Sequence, residues 1–192
     1  MSDAASDLLH VRADGLIPEA VLGAIFEQYR MPVMGTHGLA HWARVLDNGL
    51  TIADRTDADA EVVALFAVFH DACRINDHWD LHHGPKAADL VEALRPLVAD
   101  LGDARIALLR EACRDHTSGG VHSDPTIGAC WDADRLDLGR VGIRPAARFL
   151  STEVARDQAI IAEATRRAVS DHVHTIVSDV WLPLAQGDPR GG

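Results

Sequence analysis

The sequence predicts an all-α fold, a single-domain helical bundle, on three observations. Apolar residues recur at helical spacing in nearly every ordered stretch, and none shows the strict alternation of a half-buried strand. A chain of 192 residues, 47% hydrophobic and 24% charged, has the length and composition to bury one sizeable core. The most apolar run, VVALFAVF at residues 62–69, belongs to a core helix, yet it ends in His70-Asp71, two residue types that ligate metals.

The elements follow from local signals. Residues 1–15 read as a flexible N-terminus. They are acidic and polar and lack the basic-then-apolar pattern of a signal peptide. Residues 18–30 form a first helix with Pro18 in its first turn, and MPVMGTH is a loop. Residues 38–54 form a second helix, with Leu39, Trp42, Val45 and Leu46 on one stripe. The third helix, 59–71, is the most buried, and INDHWDLHHG is a polar loop. A fourth helix at 85–100 carries a kink at Pro96, and a fifth covers 103–115. Ser123 or Asp124 caps a sixth at 125–138, and a long last helical region runs from 153 to 181. The folded domain is expected over 16–184, with a frayed tail at 185–192.

Composition narrows the partners. A net charge of −11 argues against tight non-specific binding to nucleic acid or to an anionic membrane surface. The longest apolar run is too short to span a membrane. Three cysteines without CxxC spacing read as reduced, buried thiols in a cytoplasmic protein. The long last helix offers a surface for a second copy, so a homo-oligomer is compatible with the pattern.

His37, His41, His83, His116, Asp132 and Asp134 flank His70-Asp71 in sequence, and the candidates fall on different helices or their ends. Helical bundles build metal sites from inward-pointing side chains on facing helices. Imidazole and carboxylate ligands suit a divalent Mn, Fe, Co, Ni or Zn ion. Asp132 and Asp134 cannot share a helix face; Asp132 is expected to orient a ligand or cap a neighbouring helix. Arg135 reads as a structural ion-pair former, and the four tryptophans as packing residues.

The segments HGLAHWARV, FHDACR, HHGPKAADLVEAL, LLREACRDHTSG and WDADRLD, in this order, resemble the HD superfamily of metal-dependent phosphohydrolases. The resemblance spans about residues 37–145. It implies metal ligation by His41, rather than His37, with His70, Asp71 and Asp134. It also implies that His83 and His116 allow a second ion, with Asp71 as the bridge. The implied activity is hydrolysis of a small phosphorylated metabolite, foremost a nucleotide, by metal-activated water. Arg74, one helical turn beyond His70, and Lys86 are expected at the substrate phosphate. Asp77 is expected to position water or donate a proton, by likeness to related hydrolases. His37, one turn before His41, is a substrate-side or supporting candidate. Two other readings share the ligand set: a di-iron oxygenase of the same superfamily, and a non-catalytic sensor that keeps metal for structure. The short spacing from Asp71 to His83 resembles the hydrolases more than those oxygenases.

Overall fold

The structure, a computed structural model, describes residues 4–187. It contains helices α1 (Ala4–Ala13), α2 (Glu19–Gln28), α3 (Leu39–Ala53), α4 (Ala60–Phe69) and α5 (His83–Ala93). These are followed by α6 (Asp103–Asp115), α7 (Pro125–Leu136), α8 (Glu153–Arg156), α9 (Gln158–Val169) and α10 (Leu182–Ala185). No strand occurs among the described residues, as the all-α reading expects. None of these helices is long and apolar enough to cross a membrane.

The bundle is organised around α4. Asp59 caps it, its carboxylate accepting from the amides of Glu61 and Val62, which satisfies donors that a helix start leaves unpaired. Every residue from Val62 to Phe69 is buried, so this helix has no solvent face and forms the centre of the core. Each large apolar side chain buried there contributes on the order of 1.5–3 kcal/mol. Helix α3 packs on α4 and α7, and α6 packs on α4 and α5. The side chains with metal-binding chemistry therefore sit on or beside helices that share one core.

Helix α5 reaches α6 closely enough that a Cβ at Gly84 would lie 2.6 Å from the Arg114 carbonyl oxygen and 2.8 Å from that of Cys113. Only a residue without a side chain permits this approach. It sets His83, at the start of α5, opposite His116, at the end of α6.

Several boundaries differ from the sequence reading. Residues 4–13, expected to be flexible, form α1, and Arg12 ties it to Asp47 and Asp54. Residues 1–3 and most of the expected tail, 188–192, lie outside the described residues. The fourth helix stops at Ala93. Arg95–Leu101 continues as 3-10 turns with Val98 out of helical conformation, because Pro96 has no N–H to continue the ladder. The sixth ends at Leu136 and tightens into a 3-10 turn over Asp137–Val141. The long last helical region is broken twice. Asp157 adopts extended backbone and caps α9 through the Ala159 amide. Asp171 then takes a left-handed φ of 49°, which ends that helix before a π-helical turn, Val177–Trp181, leads into α10. Pro183 in the first turn of α10 lacks an N–H for the preceding turn, consistent with the wider turn before it. Trp42, Trp131 and Trp181 pack in the core, whereas Trp79 is exposed.

Arg105 clamps Asp59 with two hydrogen bonds and adds one to Glu61. Burial raises the Asp59 pKa, but Arg105 and the two cap amides outweigh it and hold the carboxyl below its ordinary value. A carboxyl depressed on folding contributes stability above its unfolded pKa of about 3.9, and that contribution is lost as pH falls through the folded value. Arg105→Met is therefore expected to cost on the order of 1 kcal/mol at neutral pH. It should also make urea stability less steep between about pH 5 and pH 3 than in the parent chain. Gly84→Ala is expected to cost about 1–3 kcal/mol by overpacking, read in the same urea titration.

Candidate metal centre

The two polar residues that end α4 have a local reason to be there. His70 is the C-cap of α4, and its Nδ1 donates to the carbonyls of Ala67 at 3.1 Å and Phe66 at 3.2 Å. A helix end leaves such carbonyls without partners. His116 repeats the arrangement at the end of α6, where Nδ1 donates to the Cys113 carbonyl at 2.8 Å. His83 Nδ1 donates to the Asp80 carbonyl in the preceding loop. His41, on α3, donates from Nδ1 to Asp137 Oδ2 at 2.7 Å.

All four imidazoles thus hold a hydrogen on Nδ1 and turn a bare Nε2 inward. His41 Nε2 lies 3.1 Å from His70 Nε2, and His83 Nε2 lies 2.9 Å from His116 Nε2. Two lone pairs cannot face each other at that distance without a cation or a proton between them. Burial pushes the His70 pKa down to about 3, against the attraction of Asp71 and Asp134, so at neutral pH His70 Nε2 carries no proton. Burial and the neighbouring His116 also lower His83, whereas Asp71 and Asp134 raise His116 despite its burial. A proton on His116 can therefore bridge the second pair in metal-free protein.

Asp71 lies between the pairs, with its side chain 2% exposed. Its Oδ2 faces His70 at 3.5 Å and His41 at 3.6 Å, while its Oδ1 faces His83 at 3.3 Å and His116 at 3.8 Å. Asp134 Oδ1 completes the first group at 3.5 Å from His41 and 4.0 Å from His70. That oxygen is buried and has no hydrogen-bond partner. With metal–ligand bonds of about 2.1 Å, neighbouring donors stand about 3.0 Å apart in an octahedral set and about 3.4 Å apart in a tetrahedral one. The donor spacings fall near this range. His41, His70 and Asp71, and separately Asp71, His83 and His116, could each hold an ion. The orphaned Asp134 oxygen and the facing lone pairs make the residues fit a divalent cation.

The carboxylates stay ionised. Burial disfavours the charge on Asp71, but His70, His116, His41 and Arg74 hold its pKa well below the ordinary range. Burial likewise opposes charge on Asp134, yet Arg140 and the histidines bring it to about 2.

The remaining sequence candidates occupy varied places. Arg74, expected at a substrate phosphate, donates from Nε to Asp71 Oδ1 at 2.8 Å and from Nη1 to the Asn76 and His78 carbonyls. His37 and Asp77 come together: His37 Nδ1 lies 2.9 Å from Asp77 Oδ1, with His37 buried and Asp77 half-exposed. Tyr29 donates its hydroxyl to the His37 carbonyl. Lys86 is exposed on α5 and forms no ion pair among the described residues; its charge acts on the Cys73 thiol. Asp132 caps the α8 region through the Ser151 and Thr152 amides and the Thr152 hydroxyl. Arg135 donates to the Gly119, Gly120 and Phe149 carbonyls, a loop-fastening role. The three cysteines are free, and none belongs to either donor group.

Three residues of the site escaped the sequence reading. Asp137 orients His41 and is itself gripped by Arg44 through Nε at 2.7 Å and Nη2 at 3.1 Å. Arg140 Nη2 lies 3.8 Å from Asp134 Oδ1. The available signal was periodicity: Asp137 and Arg140 follow Asp134 at successive three-residue steps.

In comparisons with protein-family models, curated proteins and solved structures, the chain matches none.

Asp137→Asn leaves His41 with an acceptor of lower charge and an ambiguous tautomer. Such a change beside a metal-ligating imidazole is expected to weaken metal affinity about 10–100-fold, measured by competition with a chelator. His116→Ala should lower the bound metal without abolishing it, whereas Asp71→Ala should remove metal from both groups, as read by elemental analysis of the purified chain.

Proposed function

We propose that the chain is a metal-dependent phosphohydrolase of the HD type acting on a small phosphorylated metabolite, with a nucleotide as the leading substrate class. The observation that carries the reading is the Asp71 carboxylate, whose two oxygens face two separate imidazole pairs. The five sequence segments that resemble the superfamily supply all six residues gathered there, which supports the same reading.

His41, His70, Asp71 and Asp134 would hold one ion, and Asp71, His83 and His116 a second. Divalent ions in such a set polarise phosphoryl oxygens and lower the pKa of water. The chain's own residues prepare the site for this. Asp137 and the helix-end carbonyls fix each imidazole on its Nδ1 side, so Nε2 keeps its lone pair. Arg74 grips Asp71 Oδ1 and keeps that carboxylate ionised and in place. Burial lowers the His37 pKa, so His37 is neutral at pH 7 and donates from Nδ1 to Asp77. Asp77, half-exposed in the loop before α5, would position water or carry a proton at the solvent side of the pocket.

The test is a metal-loaded preparation offered a panel of nucleotides and sugar phosphates. Phosphate release is expected from at least one member, and Asp71→Ala should abolish it. No release from any member, with iron bound and oxygen consumed on substrate addition, would replace hydrolysis by the oxygenase chemistry. Tight metal with neither phosphate release nor oxygen uptake would leave a metal-containing binding module.

A further inference from the structure

A cavity of about 480 Å³ opens between the loop that precedes α3 and the turn that follows α9. Gly35, Thr36, Ala40, Arg44, Arg140 and Asp171 are among its lining residues. One wall is the amino end of α3. That helix starts at Gly38 with no side-chain cap and no acidic residue in its first turn. The Leu39 amide donates to the Val33 carbonyl, while those of Ala40 and His41 donate to no group among the described residues. Gly38 is required for this geometry, because a Cβ there would lie 2.2 Å from the Val33 oxygen. An uncapped helix start presents backbone donors and positive partial charge, which suit an anion.

Arg140 forms a second, independent feature of the same cavity. Its side chain is 8% exposed, and its buried Nε has no hydrogen-bond partner. Nη1 donates to the Asp137 carbonyl, and Nη2 lies 3.8 Å from Asp134 Oδ1. Arg44, by contrast, has three of its five N–H groups engaged: Nε and Nη2 donate to Asp137, and Nη1 to the His172 carbonyl. Arg140, with one N–H engaged in a hydrogen bond against three for Arg44, is therefore the lining cation with the greater donor capacity left. Asp171, exposed at the rim, is the lining carboxylate that opposes an anion.

We propose that this cavity is an anion subsite in which the amino end of α3 and the Arg140 guanidinium hold a phosphate group of the small-molecule substrate. The inference rests on the phosphohydrolase reading only for the identity of the ligand. Arg140 links the subsite to the metal centre, its Nη2 lying 3.8 Å from Asp134 Oδ1, and the Asp134 side chain, at 17% exposed, is the most open of the six metal-centre residues. Substrate specificity would then depend on the loop over residues 33–38 and the turn at 170–173, and not on the exposed Lys86.

The test titrates inorganic phosphate into the full chain by calorimetry at fixed ionic strength, as purified and after chelation, with metal content measured for each sample. Arg140→Gln removes the guanidinium. Ala40→Asp puts a carboxylate into the first turn of α3, where it favours the helix while occupying the anion position. Each variant is expected to weaken phosphate binding about tenfold, the effect of losing one charge-assisted contact. Asp171→Asn is expected to tighten it, and the Arg140-dependent binding should persist after chelation. Unchanged affinity in both Arg140→Gln and Ala40→Asp overturns the subsite, as does phosphate binding that vanishes on chelation. Binding that depends on Arg140 in a chain that hydrolyses no ester overturns the hydrolase reading and keeps the subsite. Hydrolysis with a KM indifferent to both variants does the reverse.

Discussion

A carboxylate buried among four imidazoles is an electrostatic problem that the rest of the molecule is arranged around. Removing one charge from water costs several kcal/mol, and Asp71 is almost completely removed from it. One guanidinium, that of Arg74, touches it directly. The four histidines meet it through Nε2 atoms that carry lone pairs whenever the ring is neutral, because each Nδ1 already donates elsewhere. Neutral imidazoles so oriented cannot donate to a carboxylate. The constellation therefore calls for positive charge beyond that of Arg74: a proton on His116 supplies part of it in metal-free protein, and the two donor groups that share Asp71 could each hold a metal ion.

The helices supply this arrangement through their ends. His70 and His116 each terminate a helix and satisfy its last-turn carbonyls, so one side chain both caps and faces the centre. His83 starts α5 opposite His116 because Gly84 allows backbone contact there. Phe66 stacks on the His70 ring at a centroid distance of 4.9 Å, so the apolar core also restricts the ligand's orientation. Rigidity at the centre and openness at Asp134 are consequences of the same packing. Five of the six residues lie in the interior, and the sixth, Asp134, faces Arg140, a lining residue of the neighbouring cavity.

Much of this was legible in the sequence where the chemistry is local. The apolar run ending in His70-Asp71 declared a core helix with a polar terminus, and the spacing of His41, His83, His116 and Asp134 placed them on other helices. The pairing of Asp137 with Arg44 was not legible. Their partnership spans 93 positions and exists only after α3 and α7 pack, so no local pattern marks it. Arg74 and Lys86 show the same limit at single side chains. Both are expected near a phosphate from their distance to His70 and His83; the structure shows Arg74 bound to Asp71 and Lys86 exposed, contacts that sequence distance does not reveal. The last helical region was overrun because its apolar spacing continues past Asp157 and residues 170–174, where a side-chain cap and a left-handed residue override periodicity.

The central claim is that Asp71 joins two cation positions through its two oxygens. Electron paramagnetic resonance of the chain loaded with manganese(II) tests this most directly, because two ions sharing a carboxylate are magnetically coupled. The account predicts a coupled-pair spectrum at full loading that reverts to that of isolated manganese in His116→Ala. A spectrum of isolated manganese in the parent chain at every loading would contradict it.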